Sequence, residues 1–267
     1  MDKTILYKSL TIHYREEGEG FPVLLIHGMA EDSALWDTQT DHLANDYRLI
    51  VPDLPGSGQS SLIPGLPSVD ELADAVRAIC DQAGVGQCIM IGHSLGGYIT
   101  LAFAEKYPGR LRAFGLFHST AYADSDEKKL NRRKMIDFIR KNGSPAFVRQ
   151  SFPNLLADGT RKDRPAILNG LIDRYSGFQP ESLVYYQEAM IRRPDRVTVL
   201  QNFTGPVLFV IGEQDKTVPP EHSLQQCHIP VISHVHILEK AAHMGMLEDG
   251  VRSSRVLQSF INFTLHS

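Results

Sequence analysis

Three stretches of the chain are apolar at nearly every position: Pro22–Ile26, Cys88–Ile91 and Pro206–Ile211. Short apolar runs bounded by turn residues mark strands buried on both faces of a parallel sheet. Tyr47 to Val51, Leu111 to Phe117 and Ser233 to Leu238 read as further strands, and the run at Cys88 extends back to Val85. Thr4–Tyr7 and Leu10–Tyr14 read as a hairpin. Helical spacing fills the gaps. Ser33–Leu43 places Trp36 and Leu43 on one side, and Ser68-Val69-Asp70-Glu71 is a capping-box pattern that opens a helix to Ala83. Tyr98–Tyr107 and Gly250–Thr264 complete the set. Strands alternating with helices over residues 22–117 predict an α/β fold with a mainly parallel sheet.

The alternation stops after residue 119 and resumes near 197. Between them the strand signals vanish, and Lys128–Lys141, Pro145–Phe152, Arg164–Tyr175 and Glu181–Arg193 read as helices separated by Gly and Pro. The expected organisation is a core of residues 1–119 and 197–267 with a helical cap at 120–196. Such an insertion lies over the C-terminal edge of the sheet, where open α/β folds bind ligands. Phe138, Phe147, Phe152, Tyr185 and Tyr186 of the insertion, with Met29 and Met244, are the expected pocket residues. An apolar stripe at helical spacing serves equally as the insertion's own core.

Composition narrows the classes. The chain has 267 residues, 42% hydrophobic and 22% charged, which suits one domain with an insertion. A net charge of -4 argues against a general nucleic-acid binder. The three cysteines are odd in number and have no metal-ligand spacing, and Cys88 falls in an apolar strand. No apolar run approaches the roughly 20 residues of a membrane span, and the first residues lack a signal-peptide core. The expectation is a soluble, cytoplasmic protein without cofactor or metal. Charge is uneven, however. Residues 121–200 carry 15 basic against 10 acidic side chains, the remainder 12 against 21. The basic cluster Lys128, Lys129, Arg132, Arg133 and Lys134 reads as a solvated helix surface, or as a docking face for an acidic substrate or carrier protein.

The chemistry centres on Gln87–Leu101, QCIMIGHSLGGYITL. An apolar strand runs into Gly92-His93-Ser94-Leu95-Gly96 and then a helix, the context of a G-x-S-x-G nucleophile elbow. The turn holds Ser94 in a cramped conformation with its hydroxyl projecting. Gly92 and Gly96 are needed where a Cβ would collide with neighbouring elements. The Leu95 amide begins the helix and is free to bind an oxyanion. The run ending in Ile26 continues as His27-Gly28-Met29, which offers the Met29 amide as second donor. His27 and Asp53 read as loop-stabilising residues, and His234 and His236 as strand packing. Gly212 is followed by Glu213-Gln214-Asp215, and a carboxylate just past a strand can orient a histidine; Asp215 is preferred to Glu213. His243 stands in a small-residue loop before the last helix. The order Ser94, Asp215, His243 completes a nucleophile–acid–base set.

LLIHGM, VPDLPGSGQS, IGHSLGG, VIGEQDKTVP and AAHMGMLE resemble the successive signatures of the α/β-hydrolase superfamily, over essentially the whole chain. More narrowly, the chain resembles small esterases of the group that includes carboxylesterases, enol-lactonases and the carrier-protein methyl esterase of biotin synthesis. The resemblance implies an α/β-hydrolase fold with about eight strands and a helical cap. It implies Ser94 as nucleophile, His243 as base, Asp215 as its orienting acid, and Met29 and Leu95 as oxyanion donors. Some members carry the acid after the strand before the insertion. Here that position reads His118-Ser119-Thr120, which supports Asp215. Hydrolysis of a small or medium carboxylic ester is the leading expectation. The same triad serves C–C bonds of β-diketone type, lactones, thioesters or perhydrolysis. A ligand receptor on the same fold is the reading from another class.

Overall fold

The computed structural model describes residues 1–266. Eight strands form one sheet: β1 (Asp2–Tyr7), β2 (Leu10–Glu17), β3 (Pro22–Ile26), β4 (Arg48–Pro52), β5 (Cys88–His93), β6 (Leu111–Phe117), β7 (Val207–Gly212) and β8 (Ser233–Leu238). Their order is β1-β2-β4-β3-β5-β6-β7-β8. β1, β2 and β4 pair antiparallel, and every pairing from β4 to β8 is parallel. Eleven helices accompany them. α1 (Asp37–Leu43), α2 (Val69–Gln82) and α3 (Leu95–Lys106) alternate with the strands. α4 (Asp126–Ser151), α5 (Asp158–Asp163), α6 (Pro165–Tyr175), α7 (Pro180–Arg192) and α8 (Val197–Asn202) follow β6. α9 (Pro220–Leu224), α10 (Gly245–Glu248) and α11 (Gly250–His266) belong to the final third.

Alternation within the apolar strands makes two cores. On β3 and β5, Leu24, Ile26 and Met90 point to the face covered by α2 and α3. Val23, Leu25, Ile89 and Ile91 point to the other face, which Trp36, Leu43 and the α11 residues Leu257 and Phe260 cover. A strand of period two with helices on both sides needs apolar residues at every position, which is why these runs look continuous.

One strand end differs from expectation for a physical reason. β5 begins at Cys88, because Val85 is used to close α2: its amide donates to Cys80 O at 2.8 Å. α2 itself starts as expected, with Ser68 Oγ accepting from the Asp70 and Glu71 amides. The Glu71 carboxylate turns instead to Tyr7 and Lys8 of the hairpin.

Between β6 and β7 the described residues form helices and no strand. α4 bends at Gly143 (φ 76°, ψ 176°), two residues before Pro145, so its halves correspond to the two helices expected there. α5 lacks an apolar stripe and was not legible. No helix among the described residues is long and apolar enough to cross a membrane.

The chain leaves β3 for β4 on one side and then takes β5 on the other. That reversal opens a crevice beyond the C-terminal ends of β3 and β5, the place where such sheets bind ligands. Met29 and Ser94 both follow those ends.

Candidate active site

Ser94 lies between β5 and α3 with φ 50° and ψ −114°, a region that costs a non-glycine residue about 1–3 kcal/mol. Close packing enforces it. A Cβ on Gly92 would stand 2.2 Å from Gly96 O, and one on Gly96 would stand 2.4 Å from Ile26 O. Leu95 is the first residue of α3. Neither its amide nor that of Met29 has a protein acceptor among the described residues, so both are available as oxyanion donors.

Asp215 and His243 come together from separate loops after β7 and β8. His243 Nδ1 donates to Asp215 Oδ2 at 2.8 Å, which leaves Nε2 as the basic nitrogen. The other Asp215 oxygen accepts from the Thr217 and Val218 amides at 2.8 and 2.9 Å. Burial would raise the Asp215 pKa, yet His243 and the loop amides hold it below the ordinary aspartate value. Ser94 and His243 line one cavity of about 80 Å³ without a hydrogen bond between them. Catalytic hydrogen bonds commonly close only in the substrate complex.

Groups that local sequence patterns do not announce hold these parts in place. Glu31 and His93 are buried beside Ser94. His93 Nδ1 donates to Glu31 Oε2 at 3.0 Å, and His93 Nε2 donates to the backbone oxygen of His243 at 2.9 Å. Both ring nitrogens therefore face acceptors. Burial would lower the His93 pKa, but Glu31 and the His243 carbonyl outweigh it and the value is raised. For Glu31, burial would raise the pKa, and His93 brings it below the ordinary glutamate value. Glu31 Oε2 also accepts from Gly28 N at 2.6 Å, tying the loop that carries Met29. Glu248 fixes the histidine loop: one carboxylate oxygen takes the Ala242 and Met244 amides, the other takes Ala157 N and Thr160 Oγ1. His118 stands after β6, where the resemblance allows an alternative acid, with Asp215 Oδ2 3.6 Å from its ring. Burial dominates there and keeps the His118 pKa well below the ordinary histidine value.

The residues marked as loop-stabilising occupy such places. Asp53 accepts from His13 Nδ1 and from the Ser33 and Gln59 amides. His27 accepts the Leu54 amide at Nε2. The His234 ring packs on Phe260 and Phe263.

The pocket expectation divides. Phe147 and Phe152 line the cavity with Met29, Ser94 and His243. Phe138, Tyr185, Tyr186 and Met244 line neither this cavity nor the outer one beside it. Tyr185 and Tyr186 point from α7 into the core, and the Tyr186 hydroxyl donates to Pro55 O at 2.8 Å. Met244 is wholly buried in the histidine loop, and Phe138 packs on the apolar cluster that the helices after β6 share with the α11 face of the sheet. A shallower vestibule of about 320 Å³ shares Met29, Arg132, Phe147, Ser151, Leu155 and Thr217 with the inner cavity. A cleft of about 480 Å³ between Glu105, Arg112 and Phe203 is larger, but it holds no nucleophile beside a base.

The basic run of α4 divides too. Lys128 and Arg132, one turn apart, fold inward: Lys128 Nζ donates to Thr217 O and Arg132 Nε to Asp124. Arg133 and Lys134 are exposed, and Lys129 lies 3.8 Å from Asp126 on the outside.

Known proteins share this architecture. A family model described as alpha/beta hydrolase fold matches residues 22–138. A thermophilic esterase from Thermogutta terrifontis superposes with a TM-score of 0.93 at 28% identity, over 99% of both chains. The chain has the α/β-hydrolase fold. It is 27% identical to a 2-(acetamidomethylene)succinate hydrolase of Mesorhizobium japonicum, over 78% of this chain and 76% of that one. It is 25% identical to a 2-hydroxy-6-oxo-6-phenylhexa-2,4-dienoate hydrolase of Comamonas testosteroni, over 94% and 91%. These α/β-hydrolases are named for quite different substrates, so the fold fixes the machinery and leaves the bond to the site.

Proposed function

We propose that the protein is a serine hydrolase that cleaves a carboxylic ester of a small or medium acyl substrate. The observation that carries this reading is the buried Asp215–His243 pair facing the same cavity as the constrained Ser94. His243 Nε2 takes the Ser94 proton as Oγ attacks the ester carbonyl. The Met29 and Leu95 amides receive the oxyanion, a donor pair in which each member contributes about 100- to 1000-fold in rate. His243 then returns the proton to the leaving alcohol, and the acyl group stays on Ser94. Water attacks that acyl-enzyme with His243 as base and releases the acid. An inner cavity of about 80 Å³ holds roughly three water-sized groups at about 30 Å³ each, which favours short acyl chains.

Hydrolysis of p-nitrophenyl esters from C2 to C12, with Ser94→Ala beside wild type, tests the proposal. The expected result is turnover that peaks at C2–C6 and is lost in the variant. Equal turnover by both proteins contradicts it. A second reading keeps the triad and changes the bond to a lactone or a C–C bond. Its support is the likeness to the dienoate hydrolase over 94% of the chain. Turnover of lactones or β-diketones alone, still dependent on Ser94, would favour it.

A further inference from the structure

The cap side of the cavity holds more positive charge than its neighbours balance. Asp124, its side chain wholly buried, is the one carboxylate in a cluster with three cations. Arg132 Nε meets Asp124 Oδ2 at 2.5 Å, Arg193 Nη2 lies 3.0 Å from Oδ1 off the hydrogen-bond line, and Lys128 Nζ is 4.0 Å away. An ion cluster that served only to tie α4 to α7 would be balanced, because each uncompensated charge taken from water costs stability. This one retains an excess of two.

The donors left over face the cavity. Arg132, with a side chain only 14% exposed, lines both the inner cavity and the vestibule. Its Nε goes to Asp124 and its Nη1 to Gln187 Oε1 at 3.0 Å, and among the described residues Nη2 has no acceptor. Gln187 lines the vestibule and has no acceptor for Nε2 there either. Tyr98 lines the inner cavity beside Ser94, is 3% exposed, and its hydroxyl has no protein partner among the described residues. The Arg193 guanidinium lies 3.8 Å over the Tyr98 ring. The cations set the potential at this point. Burial would raise the Tyr98 pKa, yet Arg193, Lys128 and Arg132 together bring it below the ordinary tyrosine value. A carboxylate does line the cavity from the core side, Glu31, but His93 already pairs with it.

We propose that Arg132, with Tyr98 and Gln187 beside it, is a subsite for a carboxylate, and that the substrate is a small ester bearing a second, free acid group. The free acid meets Arg132 Nη2 while the ester carbonyl lies at Ser94, so bound substrate offsets one of the two excess positive charges. Charge-assisted bonds of this kind are the stronger class of hydrogen bond. The identity of the bond cleaved rests on the serine-hydrolase reading; the subsite itself does not.

The test has two independent readouts. The first is the ratio of kcat/KM for an acid-bearing ester to that for a neutral partner. Monomethyl succinate, glutarate and adipate are set against their dimethyl esters, and 3-acetoxypropanoate against its methyl ester. Wild type is expected to favour at least one acid-bearing ester by about tenfold or more. Arg132→Met is expected to bring that ratio to near one, and Arg132→Lys to keep part of it. Arg133→Ala, on the exposed side of α4, is expected to leave it unchanged. The second readout is calorimetric binding of monomethyl glutarate to Ser94→Ala, expected to weaken about tenfold when Arg132→Met is added. A ratio near one in wild type for every pair, or a preference that survives Arg132→Met, overturns the subsite. Ser94-dependent cleavage of neutral esters without acid preference leaves the hydrolase reading standing while the subsite falls. Arg132-dependent binding without any Ser94-dependent turnover does the reverse.

Discussion

On the core side of the cavity each buried carboxylate meets a histidine: Asp215 beside His243, Glu31 beside His93. On the cap side Asp124 meets Arg132, Arg193 and Lys128 together. The core groups are also tied to loop backbone, Asp215 by the Thr217 and Val218 amides, Glu31 by the Gly28 amide and His93 by the His243 carbonyl, whereas Arg132 Nη2 and the Tyr98 hydroxyl have no partner among the described residues. A network tied to backbone at several points fixes geometry, and that is what the proposed nucleophile, base and oxyanion donors require. An unsatisfied one waits for a partner. Under the proposals above, the contrast divides reaction geometry, on the sheet loops, from substrate choice, on the helices after β6.

Breaking the core side should cost the most. Asp215→Asn removes the acceptor that fixes the His243 tautomer, and kcat/KM on a short p-nitrophenyl ester is expected to fall about 10³- to 10⁴-fold. A loss below tenfold would take the orienting role away from Asp215 and return Glu213 to consideration.

Glu31→Gln is the next effect in size, and it is seen first in stability. Removing one partner of a buried pair leaves the other unbalanced, at a cost on the order of 3–5 kcal/mol. The sign with pH follows from both shifts. Glu31 has a lowered pKa, so its contribution is present above the ordinary value of 4.5 and lost as pH falls through the lowered one. His93 has a raised pKa, so its contribution is present below the ordinary value of 6.5 and lost as pH rises through the raised one. The gap in unfolding free energy between wild type and variant is therefore expected to be widest between pH 4.5 and 6.5 and to shrink in alkali. Urea denaturation at pH 5.5 and pH 9 checks this. A gap that does not change with pH would mean the two groups are not paired as ions.

What the sequence revealed follows the same division. The elbow was legible because its requirements are local: Gly92 and Gly96 are demanded by backbone contacts within a few residues and one neighbouring strand. Asp215 and His243 were legible because each directly follows a recognisable strand. The Glu31–His93 pair was not, since the two loops are 62 residues apart and meet only through the order of β3 and β5. The pocket was half legible. Phe147 and Phe152 face the cavity, but an aromatic residue on α7 has no local signal to say whether it faces substrate or core, and Tyr185 and Tyr186 face the core. In the basic run of α4 the one-turn spacing of Lys128 and Arg132 was visible. The inward direction of that pair became clear only with Asp124 and Thr217 in place.

The central claim is that Ser94 is a nucleophile activated by His243 and Asp215. Labelling with a fluorophosphonate, read by intact-mass and peptide mass spectrometry, tests it without knowledge of the substrate. The account predicts one phosphonyl group per chain, on Ser94, formed at least 100-fold more slowly when Asp215 is replaced by Asn. An unlabelled chain, or a label on any residue other than Ser94, would contradict it.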